Sequence, residues 1–222
     1  MIESNAGQPR GILHPKAGEN KGRLSRHLPA DDLGFFVEHF WIVNWDLRGQ
    51  APHRQETLPH PSVHLVIEKG QSRLVGVARG KFSRLLEDQG RVFGIKFRPG
   101  AFYPFVKSPM TTLTDRTVKL DEVFGLDGKT FEAAMLALDD EKKMIECAEH
   151  FLRERLPERN ENAAAINRIV ERIIADREII KVDDMVSRFK INKRTLQRLF
   201  RQCVGVSPKK IGNGQNIIVE NE

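Results

Sequence analysis

The 222-residue sequence contains two cysteines, one tyrosine and two tryptophans. Cys147 and Cys203 stand alone, so they build no disulfide framework, and neither has metal-ligand spacing. Both are expected as small buried apolar residues, which suits a reducing cytoplasm. No apolar run is long enough to cross a bilayer. The N-terminus lacks the apolar core of a secretory signal. A cytoplasmic chain with no membrane partner is therefore expected. There is no nucleophile motif and no glycine loop that would cradle a phosphate, so no catalytic residue and no cofactor is assigned. Gly94, alone in Phe93-Gly94-Ile95, reads as a bulge or a close packing contact. His53, His60, His64 and Glu68 invite a metal reading, because His64 and Glu68 would share one face of a strand. But Pro59 and Pro61 bracket His60, and no His-x-His pair with a spaced Glu follows, as a cupin-type site requires. No metal ligand is therefore assigned.

What is present is a core-forming composition, 40% hydrophobic and 30% charged, and an uneven charge distribution. Residues 181–210 carry nine Lys and Arg against two Asp, a net of +7, while the whole chain is +6. In this segment Val182, Met185, Val186 and Phe189 recur with the period of one helix face. Asp183 and Asp184 sit in the first turn, where negative charge suits the helix dipole. Lys190 and Ile191 form a turn, and Asn192 is placed to cap a second helix. Leu196, Leu199, Phe200 and Cys203 face inward on that helix; Arg194, Gln197, Arg198 and Arg201 face outward. Gly205 is a left-handed cap, and Ser207-Pro208 opens a further helix. This is a helix-turn-helix pattern with the charge of a phosphate-binding surface.

The residues 183–189, 191–200 and the Gly205-Val206-Ser207-Pro208 sequence resemble the first helix-turn-helix of AraC/XylS-type transcriptional regulators. The resemblance implies that Arg194, Gln197 and Arg198 read bases in the major groove. Lys193, Arg201, Lys209 and Lys210 are placed for phosphates. Family members carry two such modules joined by a long helix. Here Gly212, Asn213, Gly214 and Asn216 occupy the place of that helix, and the chain stops at Glu222. A regulator cut short after its first module is expected, with weakened DNA binding. Leu199, Phe200 and Ile211 would then lack apolar cover.

Upstream, residues 1–27 are polar and aperiodic and read as loop. A short helix opens at Pro29-Ala30-Asp31-Asp32, with Leu33, Phe36, Val37 and Phe40 toward the core. Strands are expected at 40–47, 64–68, 72–78, 81–86 and 91–97, with short glycine connections that favour consecutive antiparallel hairpins. Helices follow at 101–106, 121–124, 130–138, 140–156 and 161–176. The fold class is α+β: an antiparallel barrel-like or curled-sheet domain with flanking helices over 28–157, then a small all-α domain over 158–222. Residues 58–66 and 94–101 are similar to an N-terminal regulatory domain that precedes AraC-type modules. If that domain senses a small molecule, Trp41, Trp45, Phe97 and Tyr103 are candidates to line the pocket. Double-stranded DNA is the expected partner, with a small-molecule effector and a homodimer as further candidates. The competing readings are a ligand-binding or dimerisation module with a non-functional DNA-binding remnant, and a cupin-like metal enzyme.

Overall fold

The computed structural model describes residues 22–176, 178–179 and 181–209. Among the described residues eight strands form two sheets: β1 (Arg23–His27), β2 (Val37–Asp46), β3 (His53–Thr57), β4 (His64–Ile67), β5 (Arg73–Val75), β6 (Phe82–Leu86), β7 (Gln89–Phe97) and β8 (Thr117–Lys119). The main sheet runs β1-β2-β7-β4-β5-β8, with every neighbour antiparallel. β3 and β6 pair separately. The main sheet is open, ending at β1 and β8, so the expected barrel does not close.

Two departures from the expected hairpin run share one cause. β7 is buried on both faces from Val92 to Ile95, so it takes a central place, between β2 and β4. β6 exposes Phe82, Ser83 and Leu85 and buries only Leu86, so it cannot fill a central slot. It leaves the run and joins β3. β1 was expected as loop. Its sequence, Arg-Leu-Ser-Arg-His, has little apolar content, yet it pairs along β2 from Arg23↔Asn44 to His27↔Phe40. Backbone pairing at an edge makes few demands on side chains. Residues 31–36 form turns rather than a helix, with Leu33 N–H bonded to Ala30 O at 3.0 Å and Phe36 N–H to Leu33 O at 2.9 Å. Leu33, Phe36, Val37 and Phe40 are nonetheless buried as the pattern implies.

The helices are α1 (Tyr103–Val106), α2 (Leu120–Phe124), α3 (Leu126–Leu136), α4 (Glu141–Arg153), α5 (Glu161–Ala175), α6 (Val182–Phe189) and α7 (Lys193–Leu199). Asp140 caps α4 by accepting from Lys143 N–H at 2.9 Å, and Asn160 caps α5 by accepting from Ala163 N–H at 3.1 Å. A π-helical turn, Phe200–Val204, prolongs α7 and ends at Gly205.

Strand alternation sends Phe40, Ile42, Phe93, Ile95, Phe97, Leu65 and Leu74 to the inner face, where they meet the helices. Phe97 packs edge-on against Phe102 with ring centroids 4.8 Å apart, and Phe131 stacks on Phe151 at 4.0 Å. This core runs without a break into Ile166, Ile173, Met185, Leu196 and Phe200. The sheet and the C-terminal helices therefore share one interior, across the 157–158 boundary expected from sequence. Leu199 and Phe200, expected to lack cover, are 4% and 0% exposed; the sheet region covers them. Ile211 lies outside the described residues.

The outer face holds a smaller core of Trp45, Leu47, Val66, Leu86 and Val92, with Trp41, Val43 and Val75 against it. Trp41 pairs across to Gly94 and Trp45 to Gly90. Each indole lies over the glycine opposite, where a Cβ would overlap the ring. Gly94 is thus a packing glycine within the part of the β2–β7 ladder, His39 to Asp46, that pairs in step; the register shift lies between Val37 and His39. A Gly94→Ala protein should lose about 1–3 kcal/mol as the indole is displaced, read as a lowered urea midpoint with altered tryptophan emission.

Candidate functional site

The basic segment folds as its pattern implies. α6 begins with Asp184 Oδ2 accepting the Lys181 N–H at 2.7 Å, and ends at Lys190 in the left-handed region. Met185 is buried, while Val182, Val186 and Phe189 are half-buried. Asn192 Oδ1 then accepts the N–H of Arg194 at 2.8 Å and of Thr195 at 3.4 Å, which starts α7. Leu196, Leu199, Phe200 and Cys203 anchor the inner edge of α7 and its π turn. Burial raises the Cys203 thiol to about 11, which keeps it protonated.

Arg194, Gln197, Arg198 and Arg201 are all exposed. They line one shallow hollow of 540 Å³, together with Pro109 and Gln202. Pro109 comes from the sheet region, and sequence periodicity gave no sign of it. Lys193 and Arg194 occupy the first turn of α7, which itself contains no acidic residue. Cations at a helix N-terminus oppose the dipole. Lys193 is engaged by Asp183 at 2.8 Å. A local rule broken on an exposed face is a common mark of a functional surface. Lys209 is exposed; Lys210 lies outside the described residues.

Three contacts fix this face relative to the sheet. Gln202 Nε2 donates to Tyr103 Oη at 2.7 Å. Thr114 Oγ1 donates to Gly205 O at 2.7 Å. Gly100, which closes the turn after β7, lies where a Cβ would be 3.0 Å from Ile166 Cγ2 and 3.5 Å from Cys203 Cβ. Gly205 has φ +97°, and a Cβ there would stand 2.6 Å from Thr114 Oγ1.

The four aromatic pocket candidates do not come together. Phe97 is on the inner face and fully buried, whereas Trp41 and Trp45 belong to the outer core. Tyr103 sits on α1, held by Gln202. The reason is alternation: Trp41 and Trp45 oppose Gly94 and Gly90, and Phe97 is an odd number of residues from both.

A polar cluster lies instead on the outer face. His39 and His64 both pair with Lys96 in the ladder. Lys96 Nζ meets Glu38 Oε1 at 2.9 Å. Trp41 Nε1 donates to His64 Nδ1 at 3.3 Å, and His60 Nδ1 lies 3.0 Å from Ser62 Oγ. Arg26 Nε is buried without a hydrogen-bond partner. Burial, helped by the Lys96 charge, lowers His39 and His60 to about 4 and His64 well below its ordinary value. Burial works to raise the Glu38 carboxyl, but the charge and hydrogen bond of Lys96 oppose it and the net shift is downward. Sequence reading singled out His60 and His64 but missed Arg26, Glu38, His39 and Lys96, because the cross-strand register that unites them is not local. Among the described residues no group of three or more His, Cys, Asp or Glu is arranged to hold a metal ion.

A family model described as "Domain of unknown function (DUF6597)" matches residues 25–119. The match starts within β1 and ends with β8, so it spans the main sheet. No curated protein matches the chain. A solved structure described as the AraC-like transcriptional activator CuxR is similar over 90% of this chain and 87% of that one, at 10% identity and a TM-score of 0.24. That score is too low to bear on fold or function.

The neutral histidines make stability depend on pH. The folded chain keeps His39 and His60 neutral down to about 4, while the unfolded chain protonates them near their ordinary 6.5. Their contribution is complete above 6.5 and is lost as pH falls toward 4, by up to about 1.4 kcal/mol per pH unit for each proton. Urea midpoints should fall between pH 7 and pH 5, and His39→Gln with His60→Gln should flatten that slope.

Proposed function

We propose that this protein is a sequence-selective DNA-binding transcription regulator of the AraC type. The observation that carries the reading is the exposure of Arg194, Gln197, Arg198 and Arg201 along one side of a helix whose other edge is buried. The resemblance of residues 183–208 to the AraC/XylS helix-turn-helix supports it.

On this reading α6 crosses the backbone and α7 enters the major groove with its first turns at the base edges. Arg194 and Arg198 offer paired donors that suit guanine O6 and N7. Gln197 offers a donor and an acceptor that suit adenine N6 and N7. Arg201 and Lys209 would meet phosphates, which set affinity and salt dependence rather than sequence. Lys193 would do so by exchanging Asp183 for a phosphate. The described residues supply one reading helix, and a single helix in one groove should bind weakly. A second copy would supply the other half-site, about one DNA turn away.

The reading assigns no catalytic step. A second reading, a ligand-binding module without DNA activity, is favoured by the buried polar cluster and its unpartnered Arg26 Nε.

The test is fluorescence anisotropy of the full chain on a sequence selected from a random duplex pool, repeated on random duplex across a salt series. Affinity should fall steeply with salt. Arg194→Ala and Arg198→Ala should each cost about 1–3 kcal/mol on the selected sequence and relax preference at one position. Unchanged selectivity in both would overturn base reading by α7. Absence of any DNA binding at low salt would leave the second reading.

A further inference from the structure

We propose that the DNA-binding surface extends off the helix pair onto the sheet region, where Arg79 and Arg201 together form a phosphate-binding subsite. The inference rests on the DNA-binding reading above and deepens it.

The geometry begins with Arg201. It lines the hollow beside the base-reading residues, and it also lines a second hollow of 340 Å³ with Arg79, Thr111, Gly205, Val206 and Ser207. The two hollows therefore share Arg201. Arg79 and Thr111 come from the sheet region: Arg79 follows β5, and Thr111 lies in the 3-10 turn Met110–Thr112. Pro109, from the same turn region, already borders the first hollow. A duplex seated on α7 would meet these residues next.

The chemistry fits a phosphate. Two arginines line it together with the hydroxyl-bearing Thr111 and Ser207, and among the described residues no Asp or Glu lines it. Arg79 is 59% exposed at its side chain, and its Nε lies 3.4 Å from Asp115 Oδ2. Among the described residues its Nη1 and Nη2 make no hydrogen bond. Asp115 also accepts the Arg79 backbone N–H at 2.7 Å, so the loop is held independently of the guanidinium. Asp115 tempers the charge of Arg79 but orients it. The subsite is also held in position: Thr114 Oγ1 donates to Gly205 O at 2.7 Å, and Gly205 is backed against Met110. The arginines on the two sides of the junction therefore keep a set relation.

The experiment compares the full chain with Arg79→Ala, Arg79→Lys and Lys142→Ala. Lys142 is exposed on α4, which joins the β1 side of the sheet through Glu141 and Ser25; Arg79 lies on the β8 side through Asp115. Lys142→Ala thus removes the same charge from the opposite side. Thermal unfolding checks that each variant folds; the backbone bond to Asp115 survives all of them. Arg79→Ala should weaken binding to every duplex by roughly fivefold near 0.1 M salt and reduce the salt slope by about 1, with sequence preference unchanged. Arg79→Lys should restore most of the slope, and Lys142→Ala should leave it as in the parent. If Arg79→Ala keeps the parent slope while Arg194→Ala still relaxes selectivity, the subsite is overturned and base reading by α7 stands. If the parent binds no DNA at low salt, both fall together.

Discussion

Burial of one edge of α7 is the constraint from which the arrangement follows. Leu196, Leu199, Phe200, Cys203 and Val204 are at most 4% exposed. Each such side chain contributes roughly 1.5–3 kcal/mol when fully withdrawn from water, the smaller thiol less. Once that edge is committed, the 3.6-residue period leaves Arg194, Gln197, Arg198 and Arg201 no place but the surface. The partners that cover it are not other helices alone. Gly100, Tyr103, Met110 and Thr114 of the sheet region press against the π turn and Gly205. Local helix propensity contributes less, because a seven-residue helix has little stability of its own.

The two faces of the main sheet have divided their tasks. The inner face is apolar at its centre and joins the helices into one core, while Ser25, His27 and Arg91 meet the helix region at its rim. The outer face mixes tryptophans laid over glycines with a group of Lys96, Glu38 and three histidines, of which His39 is buried and the others half-buried. Buried charge costs stability unless paired. Lys96 and Glu38 pair with each other, and the histidines avoid the cost by staying neutral. Arg26 adds a cation at the rim whose Nε has no partner. That face is therefore stable near neutrality and vulnerable to acid.

Much of the helical part was legible because its signals are local. Asn192 as a cap, Gly205 as a left-handed end, and the inward set of Leu196, Leu199, Phe200 and Cys203 depend on residues within one or two turns. The long strands β2 and β7 were legible from their apolar and aromatic content. β1 and β3 were not, because they are polar and gain their form from the strands beside them. The pairing order was also hidden. It depends on β7 being buried on both faces, a property of the finished sheet. For the same reason the aromatic pocket failed: Phe97 and Trp41 lie on opposite sides of a two-sided object that composition treats as one. Arg79, Pro109 and Thr111 carried no signal, since they reach the α7 surface only through tertiary packing.

The clamp formed by Gly100, Thr114 and Gly205 has a mechanical consequence. Sheet and α7 share one interior, so they are joined as one body rather than as two beads on a string. In any pair of such chains, the gauge between the two copies of α7 would be set wherever the bodies abut, and tether length would cease to matter. A rotation of a few degrees at that joint would be magnified at the helix tips, like the jaws of a caliper.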